Sequence, residues 1–184
     1  MTTPLLPTPN QPLPAQPDLA RRRALLAMTA APALLAGLPG CARKAPAPAF
    51  DYTLLDGTRQ ASAALRGQVV LVNFWATSCA VCVKEMPQFV ALHQRFAARG
   101  LQTLAVAMQH DAPALVAEFA QRRALPFGVV IDNTGAIARA FGGVRATPTT
   151  LLIDRSHFEV WRHEGEPNFA ALQERIGPLL EARA

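Results

Sequence analysis

A chain of 184 residues has room for one domain and an appendage. Apolar residues make up 51% and charged residues 17%, so the chain is expected to bury a core and not to be disordered throughout. The net charge of +5 owes much to the triplet Arg21-Arg22-Arg23; no basic run is interleaved with aromatics, so nucleic acid is not an expected partner.

Most of the 16 prolines lie in the first fifty residues, which sets that segment apart. Its start, MTTPLLPTPNQPLPAQPDLA, is polar and Pro-rich and is expected to be disordered. The three arginines then precede an apolar stretch from Ala24 to Leu38, closed by Gly40 and Cys41. This is the layout of a secretory signal. As a helix the stretch spans about 22 Å, short of the hydrocarbon core of about 30 Å, and Pro32 and Gly37 weaken it further. A signal is therefore preferred to a transmembrane anchor. The end of the stretch, LPGC, resembles a bacterial lipobox, although Pro39 departs from the usual residue there. That resemblance implies that Cys41 is lipidated and becomes the first residue of the mature protein. RRALL, Arg22 to Leu26, resembles a twin-arginine export motif; an ordinary signal with extra arginines is the competing reading. The expected organisation is a signal over residues 1–41, a Pro/Ala tether over 42–49 and a folded domain over 50–184. The expected location is the periplasm, with a membrane anchor through Cys41.

Within the folded part, FDYTLLDGTRQASAALRG predicts a hairpin turning at Asp56-Gly57, then a brief helix at Ala61 to Leu65. QVVLVNFWA is almost wholly apolar and β-branched, as a strand buried on both faces would be. A helix follows from about Cys79 to Ala98, with Met86, Phe89, Val90 and Phe96 on one face and Pro87 expected to kink it. LQTLAVAM predicts a second buried strand. APALVAEFAQRRA predicts an amphipathic helix with Pro113 in its first turn. FGVVID predicts a third strand and TGAIARAFG a short helix. TTLLID and FEVWRHEG predict two strands joined by a turn. NFAALQERIGPLLEARA predicts a closing helix, interrupted at Gly177-Pro178. Strands alternating with helices, then a terminal hairpin and helix, predict an α/β layer fold with a mixed sheet.

Cys79 and Cys82, in FWATSCAVCVKEMP, raise three alternatives. A structural zinc site needs four ligands. No second CxxC exists, and His93, His110, His157 and His163 show no paired spacing. Covalent haem attachment needs a histidine where Val83 stands. No metal and no cofactor is therefore expected. A purely structural disulfide would close a four-residue loop, worth about 2 kcal/mol before strain, and would join no separate elements. The redox alternative explains the placement. Cys79 falls where a strand hands over to a helix, and the free N–H groups and dipole there favour a thiolate. Cys82, one turn deeper, is placed to displace a mixed disulfide.

VLVNFWATSCAVCVKEMP resembles the active-site block of the TlpA/ResA-type thiol–disulfide oxidoreductases, a thioredoxin-like group exported by bacteria. The resemblance extends from about Phe50 to the C-terminus. It implies a thioredoxin-like mixed sheet flanked by helices, with an N-terminal hairpin and a central βα insertion over Ala112 to Asp132. GVRATPTTLLIDR resembles the family's second motif. By that resemblance Pro148 is cis and faces the cysteines, and Thr147 offers its backbone to an extended substrate segment. Trp75 matches a tryptophan near the active site, giving a substrate-binding set of Trp75, Thr147 and Pro148. Glu85 matches a glutamate implicated in proton handling, giving a catalytic set of Cys79, Cys82 and Glu85. A solvated glutamate near the helix start is the competing reading of Glu85. Asn73 stands where cytoplasmic thioredoxins carry a buried aspartate, which shifts the proton role toward Glu85. Ser78 and Ala80-Val81 depart from the family's habits.

The function these features imply is reduction of protein disulfides, with apocytochrome c as the substrate the family suggests. A membrane electron donor for re-reduction and a lipid anchor complete the expected partners. Two other classes remain: a thiol peroxidase, against which Ala76 holds the place of the expected threonine, and a copper-delivery protein, for which the cysteine spacing is narrow.

Overall fold

The computed structural model describes residues 45–182. The expected signal, its Arg21-Arg22-Arg23 triplet and the lipidation candidate Cys41 lie outside the described residues. Among the described residues no helix is long and apolar enough to cross a membrane.

Six strands form one mixed sheet. They are β1 (Ala45–Pro46), β4 (Val69–Trp75), β5 (Leu101–Ala107), β6 (Gly128–Ile131), β7 (Thr149–Ile153) and β8 (Phe158–Glu164), in the order β1-β8-β7-β4-β5-β6. A separate hairpin pairs β2 (Asp51–Thr53) with β3 (Arg59–Ala61) through a turn at Gly57, whose φ of +86° suits glycine. β4 lies between a parallel neighbour, β5, and an antiparallel one, β7, and every one of its residues is buried. Its apolar run without alternation is the consequence: both faces need a hydrophobic cover.

Those covers are two layers. On one face lie α1 (Ala80–Phe96), α2 (Pro113–Arg122) and α4 (Phe169–Glu181). Phe89, Leu92 and Phe96 of α1 pack with Leu172 and Ile176 of α4 against Val69, Leu71 and Leu152. Met86 of α1 and Val116 and Phe119 of α2 cover Trp75, Ala105 and Ala107. On the other face, Phe50, Tyr52, Leu65 and the short α3 (Ala136–Ala140) with Phe141 cover Val70, Val72, Phe74 and Val106. Phe141 sits between Phe50 and Phe74, with ring centroids 5.4 and 5.7 Å away.

The expected fold class and element order hold, and the differences have local causes. The segment expected as a tether is partly built into the sheet. Ala45 and Pro46 pair with Glu159 and Phe158, the Ala47 N–H donates to the His157 carbonyl at 2.9 Å, and Ala47 is buried. Alternating alanine and proline fits an extended edge strand as well as a linker. α1 runs unbroken through Pro87, and α4 runs unbroken through Gly177 and Pro178. Packing of their apolar faces outweighs the cost of one missing backbone hydrogen bond. The brief helix before β4 is a 3₁₀ turn, Ser62–Leu65. Between Leu152 and Ile153 the β7–β8 register shifts, and Val160 is the extra residue of the bulge. The hairpin also reaches the outer edge of β6: Leu54 bridges Val130, and the Leu55 N–H donates to the Val129 carbonyl at 3.2 Å.

Truncating Phe141 to alanine empties the contact between two aromatic neighbours. Phe141→Ala is expected to lower the unfolding free energy by about 3–5 kcal/mol. Urea unfolding of the two proteins side by side measures it.

Candidate redox site

β4 ends inside the core at Trp75 and Ala76, and the chain reaches the surface through Thr77 and the exposed Ser78 before α1 begins. Cys79 is the N-cap of α1. The Cys82 N–H donates to Cys79 Sγ at 3.2 Å, so one of the helix's free donors points at this sulfur. Cys79 and Cys82 are joined as a disulfide. Their exposures differ: Cys79 is half-buried and Cys82 has no exposed surface. An incoming thiolate can therefore reach only Cys79. Cys79 Sγ lies 3.6 Å from the Thr147 carbonyl oxygen, and the Thr147–Pro148 peptide is cis. The resemblance-based expectation of a cis proline facing the pair is met. Thr147 is half-buried, and Pro148 itself is buried.

The turn before Cys79 is fastened from across the sheet. Asp111, 7% exposed, accepts the Thr77 N–H at 2.6 Å and the Thr77 hydroxyl at 2.5 Å. Sequence reasoning missed Asp111. An isolated aspartate between a strand and a helix carries no spacing signal, and its partner is 34 positions away.

Glu85 is fully buried, which removes the reading of a solvated helix-start glutamate. It lies three residues after Cys82, on the same side of α1. The Asn73 side-chain amide donates to Glu85 Oε1 at 3.4 Å and to the Thr150 hydroxyl at 3.2 Å. Glu85 Oε2 and Asn73 Oδ1 have no hydrogen-bond partner among the described residues. Burial pushes the Glu85 carboxyl up from 4.5 to about 7; the Asn73 hydrogen bond works against this, and the negative charge of Glu166 adds to it. Glu166 is itself paired with Lys84 at 3.3 Å. A carboxyl of this kind exchanges its proton near neutrality.

Trp75, expected in the substrate-binding set, offers no surface to a substrate. It is completely buried, because α2 lays Phe119 against it at 5.0 Å, and it forms the floor of the site. Asn73 is buried where the resemblance placed it, and as an amide it holds Glu85 without carrying a proton. The surface beside Cys79 is instead made by Val81, 40% exposed, and by an open groove of about 710 Å³ lined by Thr77, Val83, Leu115, Phe119 and Arg123 among others. Among the described residues no group of three or more His, Cys, Asp or Glu side chains stands close enough to hold a metal ion.

A mixed sheet with helices on both faces, a disulfide between cysteines three positions apart at the start of the first helix and a cis proline against its outer sulfur define a thioredoxin-like dithiol–disulfide protein. Comparison with known proteins carries this further. Residues 44–159 match the model of the AhpC/TSA family. The thiol–disulfide oxidoreductase ResA of Geobacillus thermodenitrificans is 38% identical over 111 residues, covering 60% of this chain and 62% of that protein. ResA of Bacillus thuringiensis subsp. konkukian is 32% identical over 130 residues, covering 71% of this chain and 74% of that protein. In three dimensions, a thioredoxin-family thiol:disulfide interchange protein from Chlorobium tepidum superposes with a TM-score of 0.69 at 29% identity, over 76% of this chain and 98% of its own. The chain belongs to the AhpC/TSA family and, within it, to the ResA-type thiol–disulfide oxidoreductases, redox enzymes of thioredoxin-like fold.

The raised Glu85 carboxyl ties stability to pH. A glutamate that ionises near 4.5 when unfolded and near 7 when folded binds more protons in the native state between those values. Its contribution is therefore complete below pH 4.5 and is lost as pH rises through 7, by about 3 kcal/mol in all. His93 and His157, both lowered by burial, work in the opposite sense, losing stability as pH falls. Urea unfolding of oxidised wild type and Glu85→Gln from pH 4 to 9 separates them. The difference between the two proteins is expected to change steadily from pH 4.5 to 7.5 and to be flat above.

Proposed function

We propose that this chain is an exported thiol–disulfide reductase that passes two electrons from Cys79 and Cys82 to protein disulfides. The observation that carries the reading is the pairing of an accessible Cys79 at a helix N-terminus with a Cys82 that solvent cannot reach. In the reduced protein the Cys79 thiolate, held by the Cys82 N–H, attacks a substrate disulfide. A bond forms between Cys79 and one substrate sulfur, and the other substrate sulfur leaves as a thiolate. Cys82 then gives its proton to Glu85 and attacks Cys79 Sγ. The second substrate thiolate leaves, and the protein holds the Cys79–Cys82 disulfide. Water cannot take the Cys82 proton, because Cys82 is fully buried; Glu85, also buried and one turn along the same helix, is the group placed to do so. Cys79, Cys82 and Glu85 are the catalytic set; Thr147 and Pro148 present the backbone on which a substrate segment lies.

The substrates are proteins, with apocytochrome c the one favoured by likeness to ResA-type relatives. A membrane electron donor restores the dithiol. Residues 1–41 serve as the export signal, and Cys41 carries the lipid that holds the domain at the periplasmic face of a membrane. A thiol peroxidase reading has less support: Ala76 offers no hydroxyl, and the hydroxyl of Thr77 is committed to Asp111.

With insulin as the disulfide substrate, Cys79→Ser is expected to fall to the uncatalysed rate. Cys82→Ser is expected to accumulate a mixed disulfide through Cys79, visible as a mass increase that a reductant removes. Wild-type turnover by Cys79→Ser sinks the mechanism. Mass spectrometry of the chain expressed in a bacterial host checks the anchor: acyl groups are expected on Cys41, and Cys41→Ser is expected to move the protein from the membrane to the soluble fraction.

A further inference from the structure

We infer that Asp111 is a positioning residue for the reactive sulfur, acting through Thr77. The inference deepens the proposed thiol–disulfide exchange and in its kinetic part rests on it. The turn that delivers Cys79 contains Ala76, Thr77 and Ser78. Its own hydrogen bond, from the Cys79 N–H to the Ala76 carbonyl at 3.1 Å, shapes it but does not fix where it sits. Two contacts do that from outside. The Met108 N–H donates to the Trp75 carbonyl at 3.0 Å, which continues the β4–β5 pairing. Asp111 then takes both the backbone N–H and the hydroxyl of Thr77, one on each carboxylate oxygen. Hydrogen bonds to an ionised acceptor are about twice as strong as neutral ones. Ser78, beyond this clasp, is exposed.

Asp111 is anchored in turn. Its N–H donates to the Met108 carbonyl at 2.9 Å, and α2 starts two residues later with Pro113. Burying a carboxylate is costly unless it is hydrogen-bonded, and Thr77 supplies a hydrogen bond to each oxygen of Asp111. Thr77 lies two residues from a sulfur that must meet the Cys82 N–H on one side and the Thr147 carbonyl on the other, at 3.2 and 3.6 Å. A misplacement of about 1 Å can cost a reaction on the order of 100-fold. The clasp also links the insertion helix to the redox turn, so that anything displacing α2 is felt at Cys79.

Position and charge predict opposite signs. Through space, the negative charge of Asp111 opposes a thiolate, so a role through charge alone would make Cys79 more acidic in both Asp111→Ala and Asp111→Asn. On the positioning account, Asp111→Asn keeps the clasp: its oxygen accepts the Thr77 N–H and its amide donates to the Thr77 hydroxyl. Asp111→Ala loses both bonds and loosens the thiolate's hold on the Cys82 N–H. The test is the pH profile of iodoacetamide alkylation at Cys79 in the reduced full-length chain, read by peptide mass spectrometry, beside insulin reduction. Asp111→Ala is expected to shift the alkylation midpoint upward and to lower the disulfide rate about 10- to 100-fold, mostly in kcat. Asp111→Asn is expected to stay close to wild type in both. Thr77→Val, which loses only the hydroxyl bond, is expected to shift the midpoint in the same direction by less. It decides the matter alone if Asp111→Ala does not fold. A wild-type profile in the folded variants that break the clasp, or a downward shift in Asp111→Ala and Asp111→Asn together, overturns the inference. If wild type reduces no disulfide, the proposed function fails while the alkylation profile still judges Asp111.

Discussion

The burial of β4 on both faces is the constraint from which the site follows. A strand with no exposed side chain can present chemistry only where it ends. The helix that covers it must start beside that end to lie back along the sheet. The handover from Trp75 to Ala80 therefore brings the backbone N–H groups of a helix start to the rim of the core, and Cys79 caps them. The neighbouring strands fill in the rest. The cis Thr147–Pro148 peptide, just before β7 on the antiparallel side, lies against Cys79, and the loop after β5, parallel on the other side, supplies Asp111.

Within this frame the two sulfurs, alike in chemistry, have different surroundings. Cys79 has solvent, a helix start and a carbonyl. Cys82 has core side chains, Trp75 and Met86 among them, and a carboxyl that ionises near neutrality. The first environment is open and polar, the second closed and apolar. The proposed order of exchange follows this contrast in exposure over a single helical turn. The Asn73–Glu85–Thr150 group supports the contrast by keeping a titratable side chain inside the core with one oxygen held.

The fold was legible because its strands are long apolar runs and its helices carry clear stripes. The cysteine pair was legible because CxxC at a strand-to-helix junction has few other uses, and Pro148 because its flanking motif is specific. What escaped shares a physical cause. The Asp111–Thr77 clasp joins residues far apart in sequence through a carboxylate whose type alone has no periodicity. Trp75 entered the substrate-binding set by resemblance, and sequence cannot show that Phe119 of a later helix covers it. The pairing of Ala45 and Pro46 was hidden because a two-residue edge strand lacks any alternation to read. Glu85 had two readings until its burial was known, since a helix surface and a helix core differ there only by what packs opposite.

The hairpin and the short first strand have a further consequence. A six-stranded open sheet has two flanks, each with a row of backbone donors and acceptors that invite another chain. Here one flank ends in β1, two residues long and containing a proline, and the other receives Leu54 and Leu55 against β6. Both guards come from the stretch that precedes the first core strand. The stretch before the first core strand is thus what discourages the sheet from recruiting a second copy through either flank.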